Sequence, residues 1–225
     1  MPDVYIICEG PTEVRFVKNV LAPALGSRGV FLHPVTIGSQ RSKGGNVTFD
    51  RLYRNVRRQL HNNRKSYCTT FVDYYGLDSS FPGVEIASTT ADLSAKAKVV
   101  SEGFVAALRR TIKQEPLLRF IPYIQMHEFE ALMFSDPVVF ADAIGRPALQ
   151  SDFAGIRDKF ETPEHIDDSS VTAPSKRIQA LFPEYEKPLM GETATKAIGL
   201  PKIRQQCPLF NAWLAQLENL PPLAA

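Results

Sequence analysis

Carboxylates stand directly after apolar runs at three places in this sequence. Glu9 follows Val4, Tyr5, Ile6, Ile7 and Cys8 and precedes Gly10, Pro11 and a second acid, Glu13. Asp73 closes the stretch "YCTTFVD", and His127, Glu128 and Glu130 follow "RFIPYIQM". Runs rich in β-branched and aromatic residues suit strands buried on both faces. Gly10 permits a tight turn and Pro11 fits the first position of a helix, so Glu9 and Glu13 meet at a strand-to-helix turn. In α/β sheets, ligands bind at the carboxyl ends of the strands, where these polar groups would gather. Carboxylates brought together repel one another and shift each other's pKa. A divalent cation relieves that repulsion, and an oxygen-rich set suits Mg2+ or Mn2+, which polarise phosphoryl oxygens and activate water.

Each acid also has a plainer role open to it. Glu13 can serve as a favourable partner of a helix dipole, Asp73 can begin a turn, and His127 can be a buried histidine or a helix cap. His127 and Glu130, three apart, would share a helix face opposite Phe129, Leu132 and Met133, with Glu128 about a quarter-turn away. The His-Glu-x-x-His pattern of a zincin fails at Ala131.

A positive arm offsets the acids. Between Arg41 and Lys65 stand Arg41, Lys43, Arg51, Arg54, Arg57, Arg58, Arg64 and Lys65 against Asp50, a local charge of +7 that leaves −5 for the rest of a chain of net charge +2. Arg51, Arg54 and Arg58 fall on one helical stripe, and Arg41 and Lys43 lie in the glycine-containing "RSKGG". A one-signed face of this kind suits phosphodiester contact without base reading, so nucleic acid is the expected partner. A solvated helix face or an acidic protein partner is the alternative. Neither a P-loop nor a Gly-x-Gly-x-x-Gly turn follows any strand.

The elements that must position these groups alternate. A helix is expected over 13–25, a strand over 30–37, and a helix over 49–60 with Leu52, Val56 and Leu60 on one stripe. A strand over 67–73, a loop over 76–90, a helix with Leu93, Ala97, Val100, Phe104 and Leu108 aligned, and a strand over 119–126 follow. Pro122 places that last strand at an edge or end. From about 136 the pattern becomes short helical pieces broken by prolines. The expected fold is α/β, a mostly parallel sheet flanked by helices over 1–135, with a helical C-terminal portion over 136–225 packed on it. With 225 residues, 44% hydrophobic and 22% charged, the composition is that of a soluble globular protein. No apolar run approaches the roughly 20 residues of a membrane span, the start is unlike a signal peptide, and Cys8, Cys68 and Cys207 form no disulfide or zinc pattern. A cytoplasmic location is expected, with no membrane partner.

The segments "CEGPTE" and "FVDYYG" resemble the Toprim domain of topoisomerases, primases and the OLD-type (overcoming lysogenization defect) nucleases. More closely, "EGPTEVRFVKNVLAP", "VDYYGLDSSFPG", "PYIQMHEFEALMFSD", "PSKRI" and "CPLFNAWL" resemble a bacterial family of uncharacterised Toprim-like proteins, over nearly the whole chain. The resemblance implies a Toprim-like, Rossmann-like sheet. It also implies that Glu9 is the characteristic glutamate, Glu13 the acid for a second metal, and Asp73 the first acid of an Asp-x-Asp motif. Tyr75 stands where the second acid of that motif would be. Glu128, Glu130 or Asp78 would have to compensate. Lys187 matches a late lysine that assists at the scissile phosphate, with Lys176 and Lys196 as alternatives. The implied activity is a Mg2+- or Mn2+-dependent nuclease, acting on DNA more readily than RNA with water as nucleophile. A separate ATPase subunit and a role in phage defence are implied with it. The alternative is a non-catalytic Toprim-like subunit that binds nucleic acid or an ATPase.

Overall fold

The computed structural model describes residues 1–37, 47–166 and 172–223. At its centre lies a four-stranded sheet ordered β2-β1-β3-β4, all parallel, built from β1 (Asp3–Cys8), β2 (Phe31–Thr36), β3 (Tyr67–Phe71) and β4 (Phe120–Ile121). The two inner strands are the apolar ones: Val4, Ile6, Ile7 and Cys8 are buried in β1, and so is every residue of β3. The outer strands carry or adjoin the prolines. Pro34 lies in β2 opposite Ile6, and Pro122 directly follows β4. A residue without an N–H costs least at an edge. Pro122 also cuts short the strand expected over 119–126: β4 has two residues, and pairing resumes only as a bridge between Asp73 and Gln125.

Helices fill the connections. After β1 come α1 (Pro11–Phe16), a π-helical segment (Val17–Leu21) and α2 (Ala22–Gly26) as one helical run. After β2 comes α3 (Phe49–Asn62), capped by Thr48, whose hydroxyl accepts from Arg51 N. Between β3 and β4 lie α4 (Val84–Ser88), inside the segment expected to be loop, α5 (Leu93–Arg109) and α6 (Gln114–Leu117). Beyond β4 follow a 3-10 helix (Phe129–Ser135), α7 (Pro137–Ala143), α8 (Gln150–Arg157), α9 (Pro174–Leu181), α10 (Lys187–Ile198), α11 (Leu200–Gln206) and α12 (Pro208–Glu218). Prolines open α7, α9 and α12, where a missing N–H removes no helical bond.

Helices cover both faces of the sheet. On one face α3 and α5 set Leu52, Val56, Leu60, Val100, Phe104 and Leu108 against Ile7, Cys68 and Val72. On the other, Phe16 and Leu21 join Phe210, Trp213 and Leu214 over Val4, Ile6 and Phe71. Trp213 stacks on Tyr123 with centroids 4.3 Å apart and donates from Nε1 to Thr69 Oγ1 at 3.0 Å. The C-terminal helices therefore share the core of the sheet. Cys8, Cys68 and Cys207 are free and buried. Among the described residues no helix is long and apolar enough to cross a membrane.

Glu164 fixes one joint of this packing. Its side chain is fully buried, and its two oxygens accept Leu209 N at 2.9 Å and Phe210 N at 2.8 Å, at the start of α12. Burial outweighs those two bonds and pushes its pKa up from 4.5 to about 7. Because the folded carboxyl holds its proton more tightly than the unfolded one, this group costs stability as pH rises from about 4.5 to about 7. The expected cost at full ionisation is about 3 kcal/mol. Urea unfolding of wild type and Glu164→Gln across that range should show wild type losing that much more than the variant. Parallel pH profiles would refute the assignment.

Candidate functional site

The carboxyl ends of β1 and β3 bring the strand-end acids together. Glu9 follows β1, and its Oε2 accepts Asp73 N at 3.3 Å, which ties the two strand ends through a side chain. Gly76 makes room for that carboxylate: a Cβ there would lie 2.9 Å from Glu9 Oε2 and 3.0 Å from Oε1. Glu13, in the first turn of α1, folds back so that its Oε2 accepts Gly10 N at 2.7 Å. This satisfies an amide at the helix start and leaves Glu13 3% exposed.

Asp73 is held from two sides. Its Oδ1 accepts Phe129 N at 2.8 Å, and its Oδ2 lies 3.4 Å from Lys187 Nζ. Lys187, the first residue of α10, lies 2.9 Å from Glu130 Oε2 as well. Glu130 is wholly buried on the 3-10 helix. Lys187 is 37% exposed, so the cluster is open to solvent along this side chain.

Burial raises the pKa of Glu9, Glu13, Asp73 and Glu130 alike. Mutual repulsion adds to it, with Glu13 acting on Glu9 and Asp73, and Glu130 on Glu13 and Asp73. Lys187 opposes the rise at all four. Burial would lower the pKa of Lys187 itself, but Glu130, Asp73 and Glu13 reverse that and hold it well above its ordinary value. Four carboxylates therefore share one ammonium, with Arg51 acting on Glu9 from α3.

The donor set is chemically that of a hard divalent cation: oxygen ligands only, largely buried, with an excess of negative charge. Glu9, Glu13, Asp73 and Glu130 would hold it. Among the described residues, no three His, Cys, Asp or Glu side chains converge as they stand on one coordination point. The ammonium of Lys187 lies between Asp73 and Glu130 instead.

Other expected site residues take other positions. The helix expected to pair His127 with Glu130 is a 3-10 helix beginning only at Phe129. His127 comes before it, after a cis Met126–His127 peptide, with Nδ1 2.9 Å from Ile166 O. Glu128 turns to α9, where its Oε2 accepts Ser175 N at 2.9 Å and its Oε1 accepts Ser175 Oγ at 3.1 Å. It thus serves the first turn of that helix, a favourable place for an anion. Asp78 accepts from Ser80 N at 2.9 Å. Tyr75 is 40% exposed, with its amide donating to His127 O at 3.1 Å. Lys196 pairs with Glu192 at 2.7 Å, and Lys176 is exposed on α9.

On α3, Arg54 pairs with Asp50 at 2.7 Å, and Arg58 is exposed and donates to Asn55 Oδ1 at 2.8 Å. Arg41 and Lys43 lie outside the described residues.

Sequence reasoning missed Gly76, Gly191 and Tyr185. Gly191 lies one turn after Lys187, and a Cβ there would approach Phe129 Cε1 to 2.9 Å and Thr12 Cγ2 to 3.5 Å. It lets α10 lie against α1 and the 3-10 helix, which brings Lys187 to the acids. A glycine inside an otherwise regular helix was the available signal. Tyr185 is buried, and after burial Glu130 is the main cause holding its hydroxyl well above its ordinary pKa.

A family model described as Domain of unknown function (DUF4276) matches residues 8–218. No curated protein and no solved structure matches the chain.

Lys187→Met should strip the carboxylates of their shared ammonium and destabilise the fold by about 2 kcal/mol, the buried-pair cost reduced for the exposure of Lys187. The loss should be largest near pH 8 and shrink toward pH 5, because the acids then take up protons. A thermal melt that is equally lowered at both pH values would show a packing role only. Gly191→Ala should cost about 1–3 kcal/mol in urea unfolding through the clash with Phe129.

Proposed function

The chain belongs to the family described as Domain of unknown function (DUF4276), and on that premise we propose that it is a metal-dependent phosphodiesterase of Toprim-like design acting on nucleic acid. The observation that carries this reading is the convergence of Glu9, Glu13, Asp73 and Glu130 on Lys187 at the carboxyl edge of the sheet. Buried acids in such excess over cations are unfavourable for folding alone, and groups with shifted pKa values in one cluster mark functional sites.

Mg2+ or Mn2+, when bound, would polarise a phosphoryl oxygen and lower the pKa of a water. The protein's own groups have separable tasks. Glu9, held by the Asp73 amide and the space over Gly76, would be the most rigid ligand. Asp73 and Glu130 would bind through the oxygens now facing Lys187. Lys187, part-exposed, would turn its ammonium to a non-bridging phosphate oxygen of the substrate. Arg51, close enough to lower the pKa of Glu9, would approach the adjoining backbone. A separate ATPase partner and a role in phage defence belong to the same proposal, on the strength of the resemblance to OLD-type nucleases.

Two observations favour the other reading, a non-catalytic subunit that binds nucleic acid or an ATPase. Tyr75 replaces a second aspartate, and Lys187 pairs with two of the acids that would hold the ion. The two readings separate in one assay. Purified protein is incubated with supercoiled plasmid, single-stranded DNA and RNA in Mg2+, Mn2+ or chelator, beside Glu9→Ala and Asp73→Ala. The expected result is cleavage that needs metal and falls about a hundredfold or more in each variant. Absence of cleavage in every metal, with nucleic-acid binding intact, would overturn the catalytic reading in favour of the subunit.

A further inference from the structure

The edge of the sheet opposite the carboxylates carries the opposite charge. Parallel pairing sets the first residues of β3 and β4 at that edge, and α3 ends there. Between α3 and α6 lies a cleft of about 570 Å³ lined by Arg57, His61, Arg64, Lys113 and Arg119, with Glu115 as its acid. Arg57, Arg64 and Lys113 are exposed, whereas Arg119 is 6% exposed.

Arg119 is anchored yet only part-used. Its Nη1 donates to Asn63 O and Ser66 O, both at 2.9 Å, and its Nη2 donates to Leu60 O at 2.8 Å. All three acceptors are main-chain carbonyls around the end of α3, so no carboxylate neutralises the guanidinium through these bonds. A guanidinium has five N–H donors. Three are engaged here, which leaves Nε–H and one Nη2–H, and Nε is buried without an acceptor. A rigidly held guanidinium with donors to spare, beside three flexible cations, is a donor set for a phosphate group.

We propose that this cleft holds a backbone phosphate of a nucleic-acid strand that continues along α3 to the carboxylate cluster. α3 has 14 residues and so spans about 21 Å, roughly six base-pair steps of duplex. Arg54 and Arg58 are exposed along it, and Arg51 at its start acts on Glu9. The inference takes its substrate class from the proposed function but does not depend on catalysis.

The test uses the full chain in chelator, so that nothing is cut. A labelled duplex of about 20 base pairs is titrated by fluorescence anisotropy against wild type and Arg57→Glu/Lys113→Glu at several salt concentrations. The double variant should bind about tenfold or more weakly, with a salt slope lower by about two. The milder pair Arg57→Ala/Lys113→Ala should show the same direction, and circular dichroism checks that both variants fold. Unchanged affinity and slope would overturn the proposal. So would calorimetry in which inorganic phosphate fills the cleft of wild type while the duplex does not compete for it, since the cleft would then belong to a small anion. Duplex binding that needs the cleft, without any cleavage in the metal assay, would leave this inference standing and remove only the catalytic reading.

Discussion

One ammonium among four carboxylates, three of them buried and Glu9 half-buried, is the constraint around which the carboxyl edge of this sheet is arranged. An ionised acid withdrawn from water is costly unless paired, and Glu130 and Asp73 are nearly or wholly buried with Lys187 as their cationic contact. Lys187 lies far along the chain from the strands, so the edge is completed only when α10 docks. That docking needs Gly191 against Phe129 and Thr12, and Phe129 in turn donates its amide to Asp73. The apolar contact and the polar one are consequently a single device, in which the ring that packs against α10 belongs to the residue that holds the aspartate.

The same chain uses other buried charges to finish its helices. Glu128 receives the amide and hydroxyl of Ser175 at the start of α9, and Glu164 receives two amides at the start of α12. Arg119 collects three carbonyls around the end of α3. Glu128 at a helix start and Arg119 at a helix end follow the direction of the helix dipole. Glu128, Glu164 and Arg119 are met by the backbone and a hydroxyl, whereas Glu130 and Asp73, the latter in addition to the Phe129 amide, face the part-exposed ammonium of Lys187.

Charge is also sorted by edge. Parallel strands give the sheet two unlike ends, with acids at one and the basic cleft at the other. α3 spans the distance between them, with Arg51 acting electrostatically on Glu9 and Arg57 in the cleft. A helix carrying cations on its solvent side between two such ends would, on the proposed reading, offer a polyanion a continuous path, which a basic helix standing alone would not.

The sequence by itself determined most of the local elements and the edge at which the strand-end acids gather. Apolar runs marked β1 and β3, Pro122 marked the last strand as an edge or end, and the stripes of α3 and α5 marked their buried faces. These are legible because period, turn residues and strand polarity act over a few residues. Glu9, Glu13 and Asp73 could be placed together for the same reason, as each follows or closes such an element. The tertiary structure alone decided which later residues join them. His127, Glu128 and Glu130 are consecutive or nearly so, yet one meets the Ile166 carbonyl, one caps α9 and one faces Lys187. Their partners come from segments some 40 to 60 residues away, and a 3-10 helix replaced the α-helical face that spacing suggested. Long-range packing sets those choices, since the cost of an unpaired buried charge is felt only when the whole core closes around it.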